Sequence, residues 1–307
     1  MLSPKDTGGL IIIDKDGGIT SQGAVNRVKR LLGVTKAGHT GTLDPMATGV
    51  LPVLVGRGVK ASEFMLSADK HYGATLKLGL CTDTEDVTGA TLSEHRGSFP
   101  TEEEVRRAID GFVGKIMQTP PMYSALKVGG RKLCDLARAG VEIDRSPRPI
   151  EIFSIEAEKL TEDEYFLDVR CSGGTYIRTL CANIGAALGV GGCMKTLRRL
   201  SASGFALSES VTLEELEGLT EEERWERVLP VEAVFEGMPS LTLPPFFARL
   251  ASSGCEIYLD KLSKELKNTL SVGTRVKLYS ENGFFALAEV REYEQGPAAK
   301  PIRQFLC

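Results

Sequence analysis

The run Leu10-Ile11-Ile12-Ile13, closed by Asp14, is apolar without a break and predicts a buried strand over 9–15. A turn at Asp16-Gly17-Gly18-Ile19 follows. Thr20 or Ser21 is placed to cap a helix reaching about Leu32, with Ala24, Val25, Val28, Leu31 and Leu32 on one face and Gly33 as its stop. Val50-Leu51-Pro52-Val53-Leu54-Val55 reads as a second buried strand, and Gly58 to Leu66 as a short helix. Tyr72 to Gly79 alternates like a strand. Glu102 to Phe112 begins with acids and reads as a helix, with Thr101 and Glu104 spaced for a capping box. Ile150 to Ile155 and Glu164 to Cys171 read as strands, and Ile177 to Leu188 as a helix.

Residues 211–229 form an acidic helical region, and the chain breaks near Gly237-Met238-Pro239. Beyond the break, Gly273 to Tyr279 and Gly283 to Val290 look like strands joined by an Asn282-Gly283 hairpin signal. Strands separated both by helices and by hairpin-like turns predict an α+β fold on a mixed, mainly antiparallel sheet, with a small β-rich unit after it. The expected division is 1–238 and 239–307.

With 307 residues, 42% hydrophobic and 25% charged, the chain has the composition of an ordinary globular protein of about two domains. No stretch approaches the roughly 18 apolar residues of a membrane span, and the N-terminus does not read as a signal peptide. The seven cysteines contain no C-x-x-C, and the three histidines stand apart, so neither a disulfide framework nor a metal site is expected. A cytoplasmic location with reduced thiols follows as an expectation. The net charge of -4 argues weakly against nucleic acid, but it is unevenly spread. Residues 209–226 hold eight Glu against one Arg, which leaves the remainder net positive, and segment 120–150 holds six basic residues against three acidic ones. Local basic patches, rather than the total, govern attraction to phosphates.

The strongest chemical signal is Gly38-His39-Thr40-Gly41-Thr42-Leu43-Asp44-Pro45-Met46-Ala47-Thr48-Gly49. One carboxylate sits in a loop framed by glycines and a proline, directly before an apolar strand. Such a loop presents a side chain with little motion, as a nucleophile or ligand contact requires; in an ordinary turn the Asp would only accept local hydrogen bonds. The segment resembles the G-H-x-G-T-L-D-P-x-A-x-G motif of the TruB family of tRNA pseudouridine synthases, matching every fixed position. Four further segments carry the resemblance in order. They are Lys70-His71-Tyr72 with Thr82-Asp83-Thr84-x-Asp86-x-x-Gly89, then Gln118 to Lys132 with Ala137-Arg138-x-Gly140, then Ser172-Gly173-Gly174-Thr175-Tyr176-Ile177-Arg178, and finally Leu197-Arg198-Arg199 with Gly204-Phe205. The chain departs from the family at Asp16, where Lys-Pro-x-Gly-x-Thr-Ser is usual, and at Gly173, where lysine is frequent.

The resemblance implies a pseudouridine-synthase-like fold, a bent mixed sheet with an RNA-gripping thumb at about 120–150 and a PUA-like C-terminal domain. It implies Asp44, Tyr72 and Arg178 as the catalytic set. His39, Tyr176, Leu197, Lys127, Arg131 and Lys132 would bind substrate. The reaction breaks the N1 glycosidic bond of uridine 55 in the tRNA T arm, turns the base and rejoins it at C5, with the target uridine flipped from its stack. No metal or cofactor is expected, nor an obligatory protein partner, and the enzyme would act as a monomer on the T-arm stem-loop. Asp44 could attack the ribose or uracil C6, or abstract a ribose proton, and residue types do not choose among these. Two other readings are a non-catalytic tRNA-binding or folding module of the same fold, and a guide-RNA-dependent rRNA synthase.

Overall fold

The computed structural model describes residues 4–263 and 269–306. Its centre is a large mixed sheet whose main path runs Val211–Thr212, Gly8–Lys15, Thr48–Gly56, Gly192–Ala202, Lys70–Leu78, Glu164–Cys171, Arg148–Lys159, Gly114–Gln118. Two pairings on this path are parallel, Val211–Thr212 with Gly8–Lys15 and Gly192–Ala202 with Thr48–Gly56; the others are antiparallel. The apolar runs 10–13 and 50–55 lie side by side with both faces covered, which is why neither alternates.

Helix Ser21–Leu31 is capped by Thr20, whose hydroxyl accepts the Gly23 N–H at 2.9 Å. Its buried Ala24, Val25 and Val28 pack on one face of the sheet. Helix Ile177–Ala187 covers the same face with Ile177, Leu180, Cys181 and Ile184. Helix Glu102–Asp110 carries the expected reciprocal cap, with Thr101 N–H donating to Glu104 at 2.8 Å and Glu104 N–H to Thr101 at 3.4 Å.

The strand Gly192–Ala202, central to the sheet, has no counterpart among the expected elements. Lys195, Arg198 and Arg199 interrupt its apolar pattern, and it is bulged at two places against Lys70–Leu78. Between the edge strand Gly114–Gln118 and its neighbour Arg148–Lys159, which pair directly, residues 119–147 project as a long insertion. It holds a hairpin, Lys127–Val128 with Arg131–Lys132, turned by Gly129 and Gly130 at φ of 57° and 84°. Two central residues at positive φ suit a tight hairpin and favour glycine at both. Leu133 and Leu136 of the short helix Leu133–Arg138 bury beneath it.

A second sheet, Ser240–Thr242, Arg275–Ser280, Gly283–Tyr293, Gly296–Gln304 and Ile257–Tyr258, follows Gly237. The hairpin at 280–283 forms as expected, though Glu281 and Asn282 make the turn and Gly283 opens the next strand. One side of this sheet has its own core, with Leu241, Ala251, Val276, Leu278 and Val290. Its other side contributes Phe284, Leu287 and Phe305 to a core shared with Leu10, Ile12, Leu54, Met65 and Phe235.

Candidate active site

Asp44 lies in the loop between the short strand Ala37–His39 and Thr48–Gly56. The segment Lys15 to Ser21 holds this loop in place. The Ser21 hydroxyl donates to the Leu43 carbonyl at 2.9 Å and accepts the Leu43 N–H at 2.8 Å. Gly18 N–H donates to the Pro45 carbonyl at 2.8 Å. The fully buried Lys15 donates to the carbonyls of Asp16, Ile19 and Pro45 at 2.7, 2.8 and 3.3 Å. At Asp16 the clamp uses the backbone carbonyl, which proline also carries, so the departure there leaves it intact. Burial pulls the Lys15 ammonium down to about 8, with Asp16 and then Asp44 opposing.

Arg178, in the first turn of helix Ile177–Ala187, faces Asp44 with two nitrogens. Nε is 2.8 Å from Oδ2, and Nη2 donates to Oδ1 at 3.3 Å. Nη1 donates to the Thr84 carbonyl and Nη2 to the Tyr123 carbonyl, each at 2.7 Å. Asp86 stands 3.9 Å from Nε and is fixed by Thr84 and by the backbone and hydroxyl of Thr88. Every nitrogen of this buried guanidinium therefore has an acceptor, and the Asp44 carboxylate is held in one plane by a fork. Burial raises the Asp44 carboxyl above the ordinary carboxylate range. Arg178 pulls it back, and Asp86 adds to the rise.

Tyr72 extends from strand Lys70–Leu78 and is almost wholly buried. Arg199, also buried, is its direct partner in the pairing. Burial pushes the phenol up, Arg199 opposes, and the Asp44 charge reaches it. Leu197 pairs with Ala74 and packs in the same core cluster as Tyr72 and Leu43. Tyr176 precedes the Arg178 helix, and burial raises its phenol too. The buried Gln118 amide locks Tyr176, accepting its N–H at 2.9 Å and donating to its carbonyl at 3.0 Å. His39 ends the strand leading into the Asp44 loop. Arg131 is exposed on the 119–147 hairpin; Lys127 and Lys132 share that hairpin's backbone, and their side chains lie outside the described residues.

The structure thus brings Asp44 and Arg178 into contact and sets Tyr72 and Tyr176 within reach of the Asp44 charge. Lys15, Ser21, Asp86, Gln118 and Arg199 complete the arrangement without having been singled out. Four of them lie inside the quoted motifs or the Lys15–Ser21 segment, and Gln118 opens the Pro-Pro-containing one. At Gly173 an added Cβ would come within 2.8 Å of the Ser67 carbonyl, so this backbone excludes a side chain there.

Two family models match adjoining stretches of the chain: the TruB family pseudouridylate synthase N-terminal domain over 29–177, and the tRNA pseudouridylate synthase B C-terminal domain over 178–236. A protein of Aromatoleum aromaticum named tRNA pseudouridine synthase B is 41% identical, covering 92% of this chain and 88% of its own. One of the same name from Alkaliphilus oremlandii is 40% identical, covering 92% and 93%. The chain belongs to the TruB family. It is a pseudouridine synthase, an isomerase. Among solved structures, the TruB fold seen here is similar to one in a Cbf5–Nop10–Gar1 complex, with TM-score 0.70 and 25% identity over 100% of this chain and 89% of the other. An archaeal box H/ACA Nop10–Cbf5 complex gives 0.69 at 25%, over 98% and 86%.

Proposed function

We propose that this enzyme converts uridine 55 in the T arm of tRNA to pseudouridine, with Asp44 as the catalytic carboxylate. The observation carrying this reading is the two-point Arg178–Asp44 pair on a clamped loop, 2.8 Å at its shorter contact. Arg178 keeps the carboxylate ionised against burial and aims it. In the reaction the N1–C1′ bond breaks, the uracil turns, a C1′–C5 bond forms, and the C5 proton leaves to restore the ring. The base remains within the site throughout, so no group donor or redox step enters.

Tyr72 packs on the flipped base and takes part in C5 proton removal. Tyr176 and Leu197 line the pocket, and His39 fills the space that the flipped base vacates in the RNA. Arg131, with Lys127 and Lys132, grips phosphates as a thumb. We assign residues 1–238 to catalysis and 239–307 to a PUA-like RNA-binding unit. The enzyme acts alone, as a cytoplasmic monomer on the T-arm stem-loop.

The test is incubation with unmodified tRNA followed by base-resolution mapping of pseudouridine. A single modified position in the T loop, formed by the wild type and not by Asp44→Asn, is expected. Turnover by the pure Asn variant would remove Asp44 from the chemistry. Modification elsewhere would correct the substrate position.

A further inference from the structure

Arg199 is the largest of the fully buried side chains, and its acceptors are unusual for a buried cation. Nε donates to the Val50 carbonyl at 2.7 Å and Nη2 to the Gly41 carbonyl at 3.1 Å. It forms no ion pair among the described residues. A buried guanidinium without a carboxylate carries an unreturned desolvation cost, and such groups concentrate where their charge is used. Tyr72, itself almost wholly buried, is its cross-strand neighbour. Tyr72 and Arg199 are direct partners across the antiparallel pairing, so the contact is set by strand register. The bond to Gly41 also ties Arg199 to the loop carrying Asp44.

We propose that Arg199 is a positioning residue that makes Tyr72 the acceptor of the C5 proton. The inference rests on the role given to Tyr72 above. Arg199, held by the Val50 and Gly41 carbonyls, places its positive charge beside Tyr72 across the strand pair. The same charge favours the phenolate against burial. The other groups facing Tyr72 are Cys171 on the neighbouring strand and Asp44, both of which disfavour the anion, while Lys70 on its own strand lies near Arg199. Arg199 is thus the cation acting on the phenol. The phenol proton leaves to solvent. After the new C1′–C5 bond has formed, the C5–H bond breaks and its proton passes to the Tyr72 oxygen; the C5–H electron pair restores the C5–C6 double bond, the C6–N1 π pair returns to N1, and N1 takes a proton from solvent.

The experiment compares Arg199→Lys, Arg199→Met, Tyr72→Phe and the Arg199→Lys/Tyr72→Phe double variant, after thermal melts, on tRNA with ordinary or C5-deuterated uridine. Lys keeps a buried cation but cannot span both carbonyls. In the Arg199 single variants kcat should fall by about 10²-fold, with KM within about twofold of wild type. The C5 deuterium effect should rise, and the rising limb of the pH–rate profile should move to higher pH. In the Tyr72→Phe background Arg199→Lys should cost little more. If the Met variant does not fold, the Lys variant and the double variant decide. Equal losses with and without the Tyr72 hydroxyl, at an unchanged isotope effect, would make Arg199 a structural stitch and overturn the inference. Wild-type turnover by Tyr72→Phe would instead overturn the role of Tyr72 itself.

Discussion

At the scale of single residues, the site sets two groups against burial in opposite ways. Burial raises the Asp44 carboxyl, so its ionised form is a burden on the fold. Stability linked to it is present below the ordinary carboxylate pKa and is lost as pH rises through the folded one. Asp44→Asn removes that burden and leaves an oxygen to accept from Arg178. Its melting temperature should therefore lie within a few degrees of wild type by scanning fluorimetry while turnover disappears. In the wild type, the acidic limb of kcat should sit above the ordinary carboxylate range. Lys15 is shifted from 10.5 down to about 8. Between those values the unfolded chain holds a proton that the folded one does not, so this residue makes stability rise with pH, by at most about 1.4 kcal/mol per pH unit. Chemical denaturation across this range, compared with Lys15→Met, checks the sign: the variant should lose the rise in stability.

At the scale of elements, Gln118 ends one edge strand and pins the residue before helix Ile177–Ala187, so the 119–147 insertion and the Arg178 helix share an anchor. Gln118→Ala breaks both bonds and leaves the Tyr176 N–H and carbonyl to find other partners. It should cost about 1–3 kcal/mol of stability in urea titration, and kcat should fall with it as Tyr176 loosens. Arg131 lies on the projecting hairpin beyond this anchor, exposed and outside the Arg178–Asp44–Asp86 charge cluster. Arg131→Glu should weaken tRNA binding and reduce the slope of log affinity against log salt by about 1, with single-turnover chemistry at saturating enzyme little changed. Binding isotherms at several salt concentrations measure this, and an unchanged slope would place Arg131 away from the RNA backbone.

For the whole molecule, the second sheet is more than an appendage. Phe284, Leu287 and Phe305 meet Leu10, Ile12, Leu54, Met65 and Phe235 in one core, and Phe235 packs 5.5 Å from Phe305 and 5.9 Å from Phe284 between ring centroids. Leu54 belongs to the strand that follows the Asp44 loop, and Leu10 and Ile12 to its antiparallel neighbour Gly8–Lys15, so this core lies behind the site's own scaffold. Phe305→Ala should destabilise by about 3–5 kcal/mol and lower the melting temperature, while kcat measured well below the melt stays near wild type. Deleting 239–307 should uncover this apolar surface and lead to association of the truncated chain, seen by light scattering.

The local elements were legible because their signals are local. Thr20 and the Thr101–Glu104 pair cap helices through side chains three residues away, and the Asn282-Gly283 signal marks a hairpin within its own few residues. The Asp44 loop, Tyr72 and Arg178 were legible through ordered motifs, and the fold class through the mixture of strand and helix periods. The central strand Gly192–Ala202 was hidden, since Lys195, Arg198 and Arg199 give it the pattern of an exposed segment. Charged side chains are nearly always at the surface, so nothing local marks Lys15 and Arg199 as buried. The Arg199 acceptors, Val50 and Gly41, arrive from distant parts of the chain, and Lys15 adds the distant Pro45 carbonyl to the local ones of Asp16 and Ile19. Burial of a cation depends on whether such oxygens converge on it, and that convergence exists only once the strands have paired. The shared core behind the site was hidden for the same reason: Phe284 and Phe305 read as ordinary apolar residues of the C-terminal unit until its sheet packs on the first.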